Sequence, residues 1–345
     1  MTIGIFVGKF LMLHQGHIHA INTAYTQCDK LYVIVCHSQY DNDKYNYYNI
    51  KPTPYQQRVT WLKSIFEEYE NITILSHKED HIMPYPHGWK KWSKSIHKLI
   101  EEHIDIYFTS SYEDKDNIEK YFPDTKLGML DHERKEYPIS STTIMKEGVF
   151  KHWKFIPNIT KYYYNKKIAI VGTESTGKST LAKLLATKFN TLWVPEYGRQ
   201  YIIDNYNGDE SRIEKHDYRY IASHHNDIMD LINKFSTNKI TIFDTEAITT
   251  QYYATLYHDY HDPIVDEIIE KQHFDLFLYL DPDVQWIDDG MRLNPHNRNR
   301  NDYILKQLMY EYNISRFNIE HISGTYLERY TKALHFINLL KFKYE

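Results

Sequence analysis

Nine consecutive residues in the second half of the chain form the pattern of a phosphate-binding loop. They read GTESTGKST and fit G-x-x-x-x-G-K-[ST] between a strand-like run and a helical pattern (Lys178–Phe189), the context that this motif requires. Glycines let backbone N–H groups surround phosphates, the Lys178 amine can reach the β- and γ-phosphates of ATP, and the Ser179 hydroxyl can ligate Mg²⁺. The predicted ATP site comprises Gly172, Thr173, Glu174, Ser175, Thr176, Gly177, Lys178, Ser179 and Thr180.

Acidic residues after two later apolar runs could complete such a site. Asp244 ends the run Ile240–Phe243, where a carboxylate could ligate Mg²⁺ or act as a general base. A helix N-cap is the structural alternative for Asp244. Glu196 and Arg199, in the segment Val194–Arg199, follow a second apolar run and could bind the phosphate acceptor. The sequence leaves open whether Glu196 or Asp244 is the base.

Arginines cluster late in the chain, at Arg292, Arg298 and Arg300. In a small phosphoryl-transfer enzyme, such a segment is typical of a lid whose guanidinium groups stabilise charge on the transferred phosphoryl group. A solvated basic loop is the alternative, because runs of charge usually face water.

A second chemical pattern lies at the N-terminus, directly after the strand-like run Ile3–Val7. His14 and His17 are three residues apart and would share a face of a first helical turn, and Gly16 would let the backbone approach a phosphate. Two imidazoles beside the α- and β-phosphates of ATP suit adenylyl transfer, in which the enzyme stabilises charge on the phosphates. A metal site at these histidines is disfavoured, because no carboxylate or thiol lies nearby at a metal-site spacing.

Two further segments of the first half could take part in binding. Ser140 and Thr142 stand at a predicted helix start, where hydroxyls cap the backbone and can also bind phosphate. Trp89 and Trp92 could stack on a flat cationic ring such as nicotinamide. Core packing is the alternative for both tryptophans, since aromatic pairs at this spacing usually pack inside a fold.

Strand-like runs alternate with amphipathic segments along the whole chain, which predicts βαβ units and parallel sheets. The pattern breaks at residues 148–166, which contain Gly148, Pro157 and a polar, Tyr-rich stretch. We therefore predict an α/β protein with two domains, each a parallel sheet flanked by helices. The predicted boundaries are a Rossmann-like nucleotidyltransferase domain at 1–150, a linker at 151–166 and a P-loop kinase domain at 167–345.

Composition excludes several classes of protein. The 345 residues are 42% hydrophobic and 25% charged, which indicates globular domains. A net charge of −5 argues against a protein that coats nucleic acid. No apolar run is long enough to span a membrane. Cys28 and Cys36 are the two cysteines of the chain, and a reducing compartment, the cytoplasm, is the expected location.

Taken together, these motifs resemble the bifunctional nicotinamide-mononucleotide adenylyltransferase/ribosylnicotinamide kinases, the NadR-type proteins. The resemblance covers about residues 3–335. It rests on Gly8–His17, Gly88–Trp92, Thr109–Asp116, Ile139–Lys146, Trp153–Pro157, the P-loop, Pro195–Arg199, Asp244–Gln251 and Trp286–Arg292.

The resemblance implies two reactions of NAD salvage. The C-terminal domain would phosphorylate nicotinamide riboside with MgATP to nicotinamide mononucleotide (NMN), and the N-terminal domain would join NMN to the AMP part of ATP, giving NAD and pyrophosphate. The implied N-terminal ATP contacts are Gly8, Lys9, Phe10, His14, Gly16, His17, Ser140 and Thr142. The implied substrate-binding residues are Trp89, Trp92, Arg134, Arg199, Trp286 and Asp288. The implied catalytic residues are His14, His17, Lys178, Glu196, Asp244 and Arg292, with Ser179 and Asp244 on Mg²⁺.

Two positions depart from the family pattern. Met12 stands where the family usually has Pro, and Met145 stands where it usually has an Arg that would bind the ATP phosphates. Loss of one charge-assisted hydrogen bond typically costs about 1.5–3 kcal/mol. Because a strand begins at Ile3, no DNA-binding helix-turn-helix and no repressor role are expected.

Four functional hypotheses follow from these patterns. They are the bifunctional enzyme, a kinase with a degenerate nucleotide-binding first domain, a non-catalytic NAD or ATP sensor, and a kinase for another nucleoside. A homo-oligomer is compatible with each of them.

Overall fold

The computed structural model describes residues 1–83, 87–286, 297–314 and 319–342. The chain divides into two compact units, one of residues Met1–Thr160 and one that begins at Lys161. Each unit has a sheet of five described strands, all of them parallel. This architecture confirms the predicted α/β class. No helix in the described ranges is long and apolar enough to cross a membrane.

The first unit is built around a central strand, β1. Its strands are β1 (Ile3–Gly8), β2 (Lys30–His37), β3 (Ile72–Lys78), β4 (Ile106–Thr109) and β5 (Lys126–Met129). Its helices are α1 (Gln15–Tyr25), α2 (Asp41–Tyr47), α3 (Tyr55–Ile65), α4 (Trp89–Leu99), α5 (Lys115–Tyr121) and α6 (Ser141–Glu147). Helix α7 (Asn158–Tyr164) contains the boundary between the two units.

The strand order β3-β2-β1-β4-β5 positions the first candidate site. Chain connections run to opposite sides of β1, so the sheet has a topological switch point between β1 and β4. Ligands of open α/β sheets bind in the crevice beyond the carboxyl ends of the strands at such a point. The loop that carries His14 leaves β1 at this end.

The second unit repeats this plan around β6. Its strands are β6 (Lys166–Val171), β7 (Trp193–Val194), β8 (Ile240–Asp244), β9 (Leu276–Leu280) and β10 (Ile319–Ile322), in the order β10-β9-β6-β8-β7. Its helices are α8 (Lys178–Phe189), α9 (Tyr197–Tyr206), α10 (Asp217–Phe235), α11 (Ala247–His258), α12 (Pro263–Lys271), α13 (Arg298–Glu311) and α14 (Tyr326–Phe342).

Burial explains why the central strands of this sheet are mostly apolar. All residues of β8 and β9 are buried, and hydrophobic clusters cover both faces of the sheet. One cluster contains Ala169 and Phe243, and the other contains Ile168 and Ile242, so alternate residues of β6 and β8 pack on opposite sides.

Residues 151–166 are more ordered than a linker pattern implies. They contain a short 3₁₀ helix (Trp153–Phe155), helix α7 and the first residue of β6. Asn165 is buried and its side-chain amide donates to Asn233 Oδ1 at 2.9 Å and to Thr241 Oγ1 at 2.8 Å. All three residues belong to the second unit, so these bonds lie within that unit.

Candidate active sites

The two histidines of the N-terminal motif lie side by side at the start of α1. Their rings stack with centroids 3.6 Å apart. The backbone N–H of His14 donates to Nδ1 of His17 at 3.3 Å, so the proton of a neutral His17 ring is on Nε2. The backbone of Gly16 packs closely against the His14 ring: a Cβ atom at Gly16 would lie 3.0 Å from Nδ1 of His14. The structure therefore brings these three predicted residues together.

Both rings are uncharged at neutral pH. Burial, reinforced by the charge of Arg134, lowers the pKa of His14 to about 3. Burial, the His14 ring and Arg134 together lower the pKa of His17 well below its usual value. Nδ1 of His14 is buried and has no hydrogen-bond partner among the described residues. Two neutral imidazoles beside the cationic Arg134 suit a polyanion, to which the rings would donate hydrogen bonds.

Lys9, a predicted ATP contact, belongs to a network of charges. Its ammonium lies 2.7 Å from Asp41 Oδ1 and 3.8 Å from Glu79 Oε2. Arg58 is buried, reaches Asp41 Oδ2 at 3.0 Å and donates to the backbone carbonyl of Lys9. Asp41 and Arg58 hold the loop after β1, a role that sequence reasoning missed because both lie on later helices.

The segment at residues 139–146 is attached to the same loop. The Ser141 hydroxyl donates to the carbonyl of Met12 at 3.1 Å. Ser140 caps α6, and its Oγ accepts from the backbone N–H of Thr143 at 3.0 Å. Thr142 is exposed, whereas Met145 is only 4% exposed. The capping role of Ser140 is thus present, and the ATP contacts of Ser140 and Thr142 stay predictions.

A cavity of about 510 Å³ opens beside Lys9 and both tryptophans. Trp92 donates from its indole N–H to Glu79 Oε1 at 2.9 Å, and its ring packs edge-on against Trp89 at 5.1 Å. The indole N–H of Trp89 has no hydrogen-bond partner among the described residues. The two rings also pack on the core, so the core role is present and the binding role of both tryptophans stays a prediction. The lining residues are Val7, Gly8, Lys9, Cys36, Ser38, Tyr40, Lys44, Glu79, Ile82, Met83, Gly88, Trp89, Trp92, Tyr107 and Asp114.

In the second unit, the P-loop connects β6 to α8 as the motif predicts. Gly172 has a φ of 147°, and a Cβ there would lie 2.7 Å from the carbonyl oxygen of Leu280. Only glycine fits this position without displacing β9. The Lys178 ammonium is buried and donates to the carbonyl of Thr173 at 3.0 Å, across the loop that would hold the phosphates.

Asp244 stands next to the P-loop because β8 pairs with β6, with Asp244 opposite Ile170. Its carboxylate is 1% exposed, and Oδ1 has no hydrogen-bond partner among the described residues. The Ser179 hydroxyl lies close enough to lower the pKa of this carboxyl group. Burial and the nearby Glu196 carboxylate raise the pKa of Asp244 to about 6. A hydroxyl and a carboxylate with a vacant oxygen fit the oxygen ligands that Mg²⁺ prefers. The helix that follows is capped by Glu246.

Glu196 and Arg199 line a second cavity, of about 50 Å³, together with His225 and Tyr218. Burial lowers the pKa of His225 to about 4. Nε2 of His225 and the hydroxyl of Tyr218 have no hydrogen-bond partner among the described residues. Sequence reasoning missed His225 and Tyr218, because a single His or Tyr carries little information in a chain rich in both.

Trp286 lies at a further cavity of about 100 Å³, which Glu174 and Arg300 also line. The Arg298 guanidinium lies 5.7 Å from the centre of the Trp286 ring and donates to the carbonyl of Val284 at 2.5 Å. Two other predicted site residues, Asp288 and Arg292, lie outside the described residues.

The P-loop also depends on a residue that the motif does not include. Arg329 on α14 is 2% exposed and donates to the carbonyl oxygens of Thr176, Asp281 and Gly324 at 2.7–2.8 Å. It also pairs with Asp283. These bonds fix the P-loop to the ends of β9 and β10.

Comparison with known proteins gives a separate family match for each of the two units. A family model described as cytidylyltransferase-like matches residues 5–147, and one described as an AAA domain matches residues 167–329. Two curated relatives are described as trifunctional NAD biosynthesis/regulator protein NadR. The one from Escherichia coli K12 is 33% identical over 329 residues, which are 92% of this chain and 79% of that protein. The one from Salmonella typhimurium LT2 is 33% identical over 327 residues, with the same coverage.

This chain belongs to the NadR family.

Solved NadR structures have the same fold. A NadR protein in complex with NR superposes with a TM-score of 0.81 at 23% identity, covering 97% of this chain and 94% of that chain. A NadR protein in complex with NAD and AMP-PNP gives 0.80 at 24% identity, covering 97% and 95%. The resemblance stated from the motifs is therefore confirmed, and the two-domain fold of this NadR-family chain is that of the solved structures.

Proposed function

We propose that this protein is a bifunctional enzyme of NAD salvage that acts on nicotinamide riboside and on NMN, with ATP as co-substrate in both reactions. Family membership supports this proposal. The stacked His14 and His17 rings and the P-loop provide one candidate phosphate site in each unit. We assign adenylyl transfer to residues 1–150 and phosphorylation to residues 167–345, joined by residues 151–166. We place the reactions in the cytoplasm, where reducing conditions suit the free Cys28 and Cys36.

In the kinase reaction, the 5′-hydroxyl of nicotinamide riboside attacks the γ-phosphorus of ATP, ADP leaves, and the hydroxyl loses its proton. Lys178 would leave the Thr173 carbonyl to bind the β- and γ-phosphates. Ser179 and Asp244 would hold Mg²⁺, which neutralises phosphate charge. The buried Oδ1 of Asp244, which has no hydrogen-bond partner among the described residues, supports this metal role. Glu196, which lines the adjoining cavity, would accept the proton.

The acceptor pocket offers recognition beyond the predicted residues. Nε2 of a neutral His225 can accept a hydrogen bond, and the hydroxyl of Tyr218 can donate one. Trp286, with Arg298 on its ring, would stack on the nicotinamide. Initial rates with nicotinamide riboside, adenosine, cytidine and thymidine at equal concentration test this assignment. We expect nicotinamide riboside to have the highest kcat/KM. A higher kcat/KM for another nucleoside would identify that nucleoside as the acceptor.

In the adenylyl transfer, a phosphate oxygen of NMN attacks the α-phosphorus of ATP, a P–O bond forms, and pyrophosphate leaves. His14 and His17 would donate hydrogen bonds to the phosphates as charge moves onto the pyrophosphate. Trp89 would contact the nicotinamide ring in the 510 Å³ cavity. The alternative of a nucleotide-binding-only first domain rests on Met145, since a buried thioether cannot replace a guanidinium.

We predict that Arg134 provides the cation that Met145 does not. Its charge reaches both His14 and His17, since it lowers the pKa of each. Arg134→Gln should reduce kcat/KM for NAD formation from NMN by about 10- to 100-fold, the loss of one charge-assisted contact. The kinase rate should not change. Lys135→Gln, at the adjacent exposed residue, is the matched control. Equal rates for the two variants would exclude Arg134 from the phosphate site.

The pH dependence of the kinase should follow Asp244. A carboxyl group with a pKa raised to about 6 is protonated below that pH and then cannot ligate Mg²⁺. We expect kcat/KM for MgATP to fall about tenfold per pH unit below 6 and to level off above 7. The measurement is a set of initial rates from pH 5 to 8, with stability checked at each pH. A flat profile down to pH 5 would contradict the metal role of Asp244.

A further inference from the structure

A group of three side chains in the first unit has the composition of a metal site. Cys36, His77 and Glu79 each direct a donor atom to one place, with these atoms within 4.8 Å of one another. Cys36 on β2 and His77 on β3 are partners in neighbouring strands, so their side chains point to the same face of the sheet. Glu79 follows two residues after His77 and reaches the same side. Strand pairing thus brings together residues that are distant in sequence.

The hydrogen bonds of His77 leave one ring nitrogen available. Nε2 lies 2.8 Å from the Ser95 hydroxyl oxygen, and that hydroxyl donates its own proton to the carbonyl of Trp92 at 2.7 Å. Ser95 therefore accepts, and the ring proton of neutral His77 is on Nε2. Nδ1 keeps its lone pair. It is buried on a residue only 8% exposed, and it has no hydrogen-bond partner among the described residues.

This arrangement is the one that prepares a histidine to bind a metal. A ligating histidine usually donates from its second nitrogen to a fixed acceptor, which sets the tautomer and the ring orientation. Ser95 provides that acceptor. A buried nitrogen lone pair without a partner is otherwise unfavourable, since its desolvation is not compensated.

The other two residues offer complementary charge. Glu79 is oriented by the indole N–H of Trp92 at 2.9 Å, and its nearest cation, Lys9, lies 3.8 Å away and is engaged more closely by Asp41. The Cys36 thiol is 4% exposed. One carboxylate and one thiolate together balance a divalent cation, so the occupied group carries no net charge in its buried position.

We propose that Cys36, His77 and Glu79 bind one divalent cation of the Zn²⁺ class. Sulfur, imidazole nitrogen and one carboxylate oxygen favour such a borderline-soft cation over Mg²⁺, which prefers oxygen ligands alone. On binding, the thiol releases its proton to solvent and a sulfur–metal bond forms, with water as the fourth ligand. Cys36 and Glu79 line the 510 Å³ cavity, which gives the cation an entry path.

Co²⁺ titration of the full chain tests this proposal without any nucleotide, so its result is separate from that of the proposed function. We expect a near-ultraviolet band from thiolate-to-Co²⁺ charge transfer that saturates at one Co²⁺ per chain and disappears when Zn²⁺ displaces the Co²⁺. Cys36→Ser should abolish the band, and His77→Ala should weaken binding at least about tenfold. Cys28→Ser is the matched control, because Cys28 is the other free cysteine of the same unit. It should leave the titration unchanged.

A wild-type titration without the near-ultraviolet band would overturn the proposal. A band that survives in Cys36→Ser, or that disappears in Cys28→Ser, would also overturn it. Circular dichroism and a thermal melt establish that each variant is folded. If Cys36→Ser or His77→Ala does not fold, the Glu79→Gln variant provides the test of the metal site. Glu79→Gln should keep the thiolate band and weaken Co²⁺ binding at least about tenfold, and unchanged affinity would exclude the site.

Discussion

Lys178→Ala is expected to lower kcat/KM for phosphorylation of nicotinamide riboside by about 100- to 1,000-fold, the range for removal of one charge that stabilises a transition state. The alanine cannot reach the β- and γ-phosphates. NAD formation from NMN and ATP should not change, because that reaction belongs to the other unit. The measurement is ADP release with nicotinamide riboside, beside NAD release with NMN, on the same preparation.

Lys188→Ala provides the control for this variant. Lys188 lies in the last turn of α8, is exposed, and is far along the helix from the P-loop. Its substitution should leave both rates within about twofold of wild type, as expected for a surface change. If Lys178→Ala kept a kinase rate within tenfold of Lys188→Ala, the P-loop would not be the site of phosphoryl transfer.

His17→Ala is expected to have the converse effect. It should reduce kcat/KM for NAD formation from NMN by about 100- to 1,000-fold and leave phosphorylation of nicotinamide riboside intact. The variant removes the Nε2–H donor and the ring that stacks on His14 at 3.6 Å. Pyrophosphate release with saturating ATP and varied NMN measures the effect.

His19→Ala is the matched control, since it removes a histidine from the same helix that contacts Tyr137 and neither of the two stacked rings. A normal rate for His17→Ala would assign adenylyl transfer to other residues. An equal loss in His19→Ala would indicate that the helix, and not the His17 ring, is what the reaction needs.

Residues that are close in sequence were predictable, because one turn or one strand end positions them. The P-loop residues Gly172–Thr180 follow β6 directly, and Asp244 ends β8, the strand that pairs with β6. His14 and His17 share the first turn of α1, and stacking of their rings follows from that spacing. Within each motif, the local pattern contained the geometry, and the pairing of β8 with β6 added Asp244.

Partners that are distant in sequence could not be predicted in this way. Arg329 supports the P-loop from α14, more than 150 residues later, with no motif around it. Cys36 meets His77 only through the register of β2 and β3. Sequence spacing alone disfavoured metal ligation at the N-terminal histidines and did not reveal this group.

Two of the elements that the sequence patterns did not predict were missed for local reasons. Strand β10 (Ile319–Ile322) has four residues, of which two are polar. A strand this short does not show a clear alternating pattern. Helix α7 (Asn158–Tyr164) is Tyr-rich and follows Pro157, and these features suggested irregular chain. A proline directly before a helix is compatible with its start, since the ring disturbs only the preceding turn.

The most direct test of the two-reaction account is one incubation of the purified protein with MgATP and nicotinamide riboside, sampled over time by chromatography. We predict that NMN and ADP form first and that NAD and pyrophosphate follow. NMN and ADP without NAD or pyrophosphate would contradict the bifunctional claim and reduce the first unit to nucleotide binding. Absence of all four products from folded protein would contradict both activities.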